Sequence, residues 1–286
     1  CIVGSEMCIR DSMIIGNLFQ QTYTMVDSAI VGRYVSEQAL AAVGASYALT
    51  NIFICVAIGG GIGASVIVSR YFGAKEYGRM KTAVFTALLS FLGISLVLGI
   101  AGLILGKQIM IWLNTPADCL DMASEYLRIY FLGLPFLFMY NVLSAMFNAL
   151  GKSRIPLYFL IFSSIFNVIL DIIMVTKMDM GVAGVAIATV ISQLISCILV
   201  LWCLYKTEGS YQLRFSKLKM KKEYLKQIFQ VGIPAGVQST VINFSNALLQ
   251  SSVNSFGSTA MAGYTAANNI LGFLYASITV SYTHLR

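Results

Sequence analysis

The stretch Asn17–Tyr34, "NLFQQTYTMVDSAIVGRY", is apolar and small almost throughout, yet it carries Asp27 near its centre. Met25, Val26, Ala29, Ile30 and Val31 around it suit a helix in lipid. A charge near the middle of a bilayer costs from ~3 kcal/mol upward, so such a residue faces a cavity or a partner. The rest of the chain has to supply that partner.

Composition sets the solvent. Hydrophobic residues make up 58% of the chain and charged residues 11%, and mean hydropathy is +0.79. Soluble domains carry about 25% charged residues. The apolar runs approach the roughly 20 residues that a spanning helix needs, and the ten-residue alternation of an outer-membrane barrel is not the pattern here. The reading is an all-α integral membrane protein. The net charge of +7 is carried in short loops, so it speaks for topology rather than nucleic-acid binding. Six cysteines form no CxxC pair, and Cys55, Cys197 and Cys203 lie inside apolar runs, as small hydrophobes do. His284 is the one histidine, which leaves no raw material for a serine-type triad or a His-rich zinc site. No cofactor is expected.

Eight apolar segments follow one another, at about 13–35, 44–69, 83–106, 123–148, 156–178, 182–205, 229–255 and 259–280. Separators such as "FGAKEYGR", "GKSRIP" and "SFGS" carry turn residues and charge. Residues 1–12, "CIVGSEMCIRDS", and 281–286, "SYTHLR", are expected to be a non-native leader and tail. Thirteen of the nineteen Lys and Arg residues fall in the separators after segments 2, 4 and 6. The positive-inside rule then places those separators and the N-terminus in the cytoplasm of a bacterial cell, with the chain multi-pass in the cytoplasmic membrane. The expected organisation is a six-helix lobe over 13–205, a cytoplasmic basic connector over 206–228 lying against anionic lipid, and the start of a second lobe over 229–280. Across the connector, "SEQALAAVGASYALTNI" (Ser36–Ile52) and "GSTAMAGYTAANNI" (Gly257–Ile270) suggest a parallel repeat of six-helix halves.

Only two acids sit inside segments away from their ends, Asp27 in the first and Asp171 in the fifth. At 1.5 Å per residue both stand ~21–23 Å above the inner edge, and Thr189, descending from the outside, reaches the same level. Tyr23 and Gln20 lie one and two turns before Asp27, and Asn167 one turn before Asp171. Two carboxylates, a carboxamide oxygen, a hydroxyl and backbone carbonyls make an oxygen-rich cage suited to a hard monovalent cation. Close carboxylates repel, so the pair suits a proton equally. The structural alternatives are that the two acids hydrogen-bond as interhelical glue, or that Asp171 hugs the interface beside Lys177. Gly59, Gly60, Gly61 and Gly63 lack the GK[ST] of a phosphate loop and sit mid-membrane, which points to close helix packing.

"QQTYTMVDSAIVGRYVSEQALAAVG", "FNALGKSRIP", "FNVILDIIM" and "MGVAGVAIATVISQ" together resemble the multidrug and toxic compound extrusion (MATE) family. The resemblance covers nearly all of 13–280. It implies a MATE-like helical bundle, made of the N-terminal lobe and the first two helices of a twelve-helix fold. It further implies cation-coupled antiport of drugs or other small organic, often cationic, compounds by alternating access, with Na⁺ or H⁺ as coupling ion. The implied ion-site residues are Asp27, Asn167, Asp171 and Thr189, with Gln20, Tyr23 and Asn141 as neighbours or substrate contacts. Helix 7 carries Asn243 and Asn246 where some members have an acid, so a second ion site is not implied. The expected partners are a small organic substrate and membrane lipid, not nucleic acid, and the full-length protein is expected to act as a monomer. A lipid-linked precursor flippase of related fold, a channel and a passive membrane protein are the competing readings; an enzyme is the least supported, because no nucleophile–base pair stands out.

Overall fold

The computed structural model describes residues 2–206 and 220–284, with side chains at 16, 18–47, 49–206, 220–241 and 243–272. Eight helices follow one another: α1 (Ile2–Tyr34), α2 (Glu37–Gly73), α3 (Tyr77–Trp112), α4 (Ala117–Ala149), α5 (Arg154–Thr176), α6 (Gly181–Lys206), α7 (Lys222–Asn254) and α8 (Ser258–His284). No strand occurs among the described residues. A helix closes its backbone hydrogen bonds within itself, which is what hydrocarbon demands of a spanning segment.

Most of the helices overrun the apolar segments at one or both ends, because capping rather than apolarity sets their ends. Ser36 accepts from the Ala39 N–H at 3.0 Å and starts α2. Beyond α4, Gly151 takes φ +74, and Lys152 N–H returns to Phe147 O at 2.9 Å. That closure ends a helix where only glycine turns left-handed without strain. The backbone is helical from Ile2 and as far as His284, while side chains before 16 and after 272 lie outside the described residues. Of the expected connector, Lys206 closes α6, 207–219 lie outside the described residues, and 222–228 form the first turns of α7.

Five helices among the described residues, α2 to α6, are long and apolar enough to cross a membrane. Each of the eight expected segments is a helix. In α7, Gln230, Gln238, Ser239, Thr240, Asn243 and Asn246 dilute an otherwise apolar run.

The core lies along α4, whose Leu127, Phe131, Leu134, Phe138, Val142 and Phe147 are fully or almost fully buried. The outer face of α3 is the opposite case, with Val97 and Ile104 68% and 73% exposed. Apolar side chains on such a face meet lipid tails at no cost.

The glycine run of α2 explains how one helix serves three neighbours. A Cβ on Gly59 would lie 2.6 Å from Gly236 Cα of α7, and one on Gly63 would run into the Ile228 carbonyl of the same helix. One on Gly60 would overlap the Phe91 ring of α3, and one on Gly61 would press on Ala145 of α4 at 3.2 Å. Four glycines within five positions thus give three helices backbone-close contact with α2. On the other side of the connector α7 packs along α2 and α8 along α1 and α2.

Candidate ion-binding site

α1 lies against α5, and α5 against α6. At the junction of the three, Asp27, Asn167, Asp171 and Thr189 come together. Asp171 is 0% and Asn167 2% exposed, while Asp27 and Thr189 are half-buried. The carboxyl groups of Asp27 and Asp171 interact directly across the α1–α5 contact. The partners around Asn167 orient its amide. Its nitrogen donates to Asp27 Oδ1 at 3.1 Å and Oδ2 at 3.3 Å, and its oxygen accepts from the Thr189 N–H at 3.3 Å. One carboxamide therefore links all three helices. Both Asp171 oxygens are buried without a hydrogen-bond donor among the described residues. A carboxylate so placed costs several kcal/mol unless a proton or cation meets it.

An amide beside two acids presents its donor, which sets the Asn167 nitrogen toward Asp27. The Thr189 hydroxyl donates to Val185 O in its own helix at 2.9 Å, the local closure a threonine makes within a helix. Thr189 joins the cluster through its backbone N–H.

Tyr23 lies beside Asp27, as its spacing one turn away requires. Gln20 and Asn141 line a cavity of about 580 Å³ between α1, α2, α4, α5 and α6, on the side where α2 and α4 end and α5 begins. There Asn141 Nδ2 donates to Leu137 O at 2.8 Å. Ser144, Asn148 and Gln193 give that cavity a polar lining. The Gln193 Oε1 atom is buried without a donor.

Sequence reasoning missed three tyrosines. Tyr126 of α4 interacts with both Asp27 and Asp171, and Tyr47 of α2 with Tyr23 and Tyr126. Tyr130 stacks on Tyr126, with ring centres 6.3 Å apart. The i, i+4 pair Tyr126/Tyr130 inside a span was the available signal; nothing local marks Tyr47 as facing the same point.

A family model described as MatE matches residues 12–173, more than half of the chain. The chain belongs to the MatE family. The match takes in Asp27, Asn167 and Asp171 and stops before Thr189. Among relatives of this MatE chain are the probable multidrug resistance protein YoeA of Bacillus subtilis (strain 168) and the multidrug export protein MepA of Staphylococcus aureus (strain MRSA252). The first is 30% identical over 271 residues, covering 92% of this chain and 58% of that protein. The second is 27% identical over 263 residues, covering 91% and 58%. The chain thus spans about 58% of the length of these relatives.

Two solved structures of a multidrug resistance MATE family transporter share the fold. The inward-facing conformation superposes with a TM-score of 0.81 at 22% identity, covering 94% of this chain and 64% of that one. The outward-facing conformation gives 0.79 at 21%, covering 96% and 63%. The membrane-embedded helical fold expected from the sequence is therefore that of MATE transporters.

Proposed function

We propose that this chain is the ion-binding lobe, with the first two helices of the second lobe, of a cation-coupled antiporter that exports small organic compounds. The observation that carries the reading is the meeting of Asp27 and Asp171 from two helices, with both Asp171 oxygens buried and without a donor among the described residues. Interhelical glue would pair donors with acceptors. Two acids facing each other need a mobile positive charge between them, and a site that gains and loses such a charge can drive a cycle. The names of the relatives, multidrug resistance and multidrug export proteins, support an organic substrate.

H⁺ is the coupling ion of this reading, because two facing carboxyl groups can share one proton without a further ligand. Ion binding and substrate binding favour different arrangements of the lobes, so ion entry down its gradient expels substrate. The thirteen basic residues beside segments 2, 4 and 6 put those loops and the N-terminus on the cytoplasmic side.

Full-length protein in proteoliposomes, loaded with a fluorescent organic cation, tests this. Efflux under a pH gradient in Na⁺-free buffer is expected, with loss to background in Asp27→Asn and Asp171→Asn. Efflux driven by Na⁺ alone would overturn the choice of ion. Full gradient-driven transport in both variants would overturn the site.

A further inference from the structure

α1 stands between two partners, and consecutive residues on it point to different ones. Asp27 faces α5, where Asn167 and Asp171 wait. Ser28, turned 100° around the helix, faces α8. There Asn269 Nδ2 donates to Ser28 Oγ at 2.7 Å, a bond between residues 241 apart in the chain. Both residues are half-buried.

This bond is part of a stripe. Thr265, Asn269 and Gly272 stand at i, i+4 and i+7 on α8, one face of the helix. A Cβ on Gly44 of α2 would overlap the Thr265 side chain, and one on Gly272 would come 3.1 Å from Oε1 of Gln21 on α1. The stripe is therefore seated against the first lobe along two turns. Gln21 and Ser28 sit seven residues apart on α1, so the α8-facing stripe of α1 runs beside its Asp27 stripe along two full turns. A turn or slide of α1 that follows a change of charge at Asp27 moves Ser28 with it, because a helix moves as a body.

We propose that Ser28 and Asn269 are positioning residues that transmit occupancy of the Asp27/Asp171 site to the second lobe through α8. The inference rests on the exchange reading given above. Neither residue touches the ion. The hydrogen bond keeps α8 in step with α1, so that the two lobes change arrangement together rather than independently.

The test measures substrate affinity of the full-length protein for a fluorescent organic cation at pH 8 and pH 6, without Na⁺. A coupling of the usual allosteric size changes affinity roughly 5- to 150-fold between the two. Asn269→Leu is expected to bring that ratio to about 2 or below, with affinity at pH 8 within about two-fold of wild type, the size a lost coupling leaves. Ser28→Ala should do the same, the double variant should go no further, and Ser28→Thr, which keeps the hydroxyl, should retain the ratio. If Asn269→Leu does not fold, Ser28→Ala alone carries the test. An unchanged ratio in Ser28→Ala and Asn269→Leu, or equal loss of affinity at both pH values, overturns the proposal. Asp27→Asn separates the two readings. If it too keeps the wild-type ratio, the exchange reading fails; if it abolishes the ratio while Ser28→Ala does not, only the transmission through α8 fails.

Discussion

Two helix seams hold this molecule together by opposite means. Where α1 meets α5 and α6, two carboxylates, an amide and a backbone N–H fill the contact. Where α2 meets α7, glycine faces glycine, and Gly59, Gly63, Gly232 and Gly236 bring backbone against backbone. In lipid there is no hydrophobic drive between helices, so each seam needs its own source of attraction. The glycine seam draws on dispersion over a smooth, close contact, which one added side chain spoils. The acid seam draws on charged hydrogen bonds, which change when a proton or ion arrives. One seam is set by shape and is indifferent to ions. In the proposed exchange the other senses them.

That contrast is broken most severely at the acids. Asp27→Asn and Asp171→Asn should each remove gradient-driven efflux down to background while leaving the protein folded, because the amide fills the same space without a titratable charge. Transport assays beside a thermal melt check both halves of the statement. At the glycine seam Gly63→Leu has the reverse signature. Its side chain would run into the Ile228 carbonyl of α7, and overpacking of this kind costs about 1–3 kcal/mol or more. The melt should drop clearly, and a cysteine pair placed across α2 and α7 should crosslink less.

Asn167→Ala sits between these extremes. It removes both bonds to Asp27 and the acceptor of Thr189 N–H, and hydrogen bonds to a charged group are worth roughly 1.5–3 kcal/mol. Denaturation of the purified protein should register that loss, more strongly at high pH, where the acids are charged, than at low pH. The smallest effect belongs to Gly93→Ala on α3. An added Cβ there meets nothing within 4 Å, and alanine in a helix gains about 0.5–1 kcal/mol over glycine. A slight rise in melting temperature would show that only glycines at a seam are needed as glycines.

Much of the architecture was legible in advance because the bilayer restricts it. A run of apolar residues near spanning length, bounded by "GKSRIP" or "SFGS", leaves helix as the backbone's option. The ends were less legible. α3 continues from an expected end near 106 to Trp112, since nothing in hydropathy marks where a helix stops once it leaves the hydrocarbon. In α7 an apolar run was read as a span although its polar residues keep it out of the set that qualifies by composition. Asn243 there donates to Cys55 Sγ of α2 at 3.1 Å, an interhelical use that no local pattern foretells.

The sequence by itself put Asp27, Asp171 and Thr189 at one height, with Asn167 one turn from it, because helical rise is fixed and the apolar segments give a common origin. It also determined that the glycines of α2 serve packing, since nothing beside them could hold a phosphate. Only the tertiary structure decided which atoms meet. The direction of the Asn167 amide, the closure of the Thr189 hydroxyl on Val185, the arrival of Tyr47 and Tyr126, and the bond from Asn269 to Ser28 depend on how helices are rotated about their axes and which neighbours they take. Height along a helix follows from counting residues, whereas rotation and partnership follow from the packing of all the helices at once.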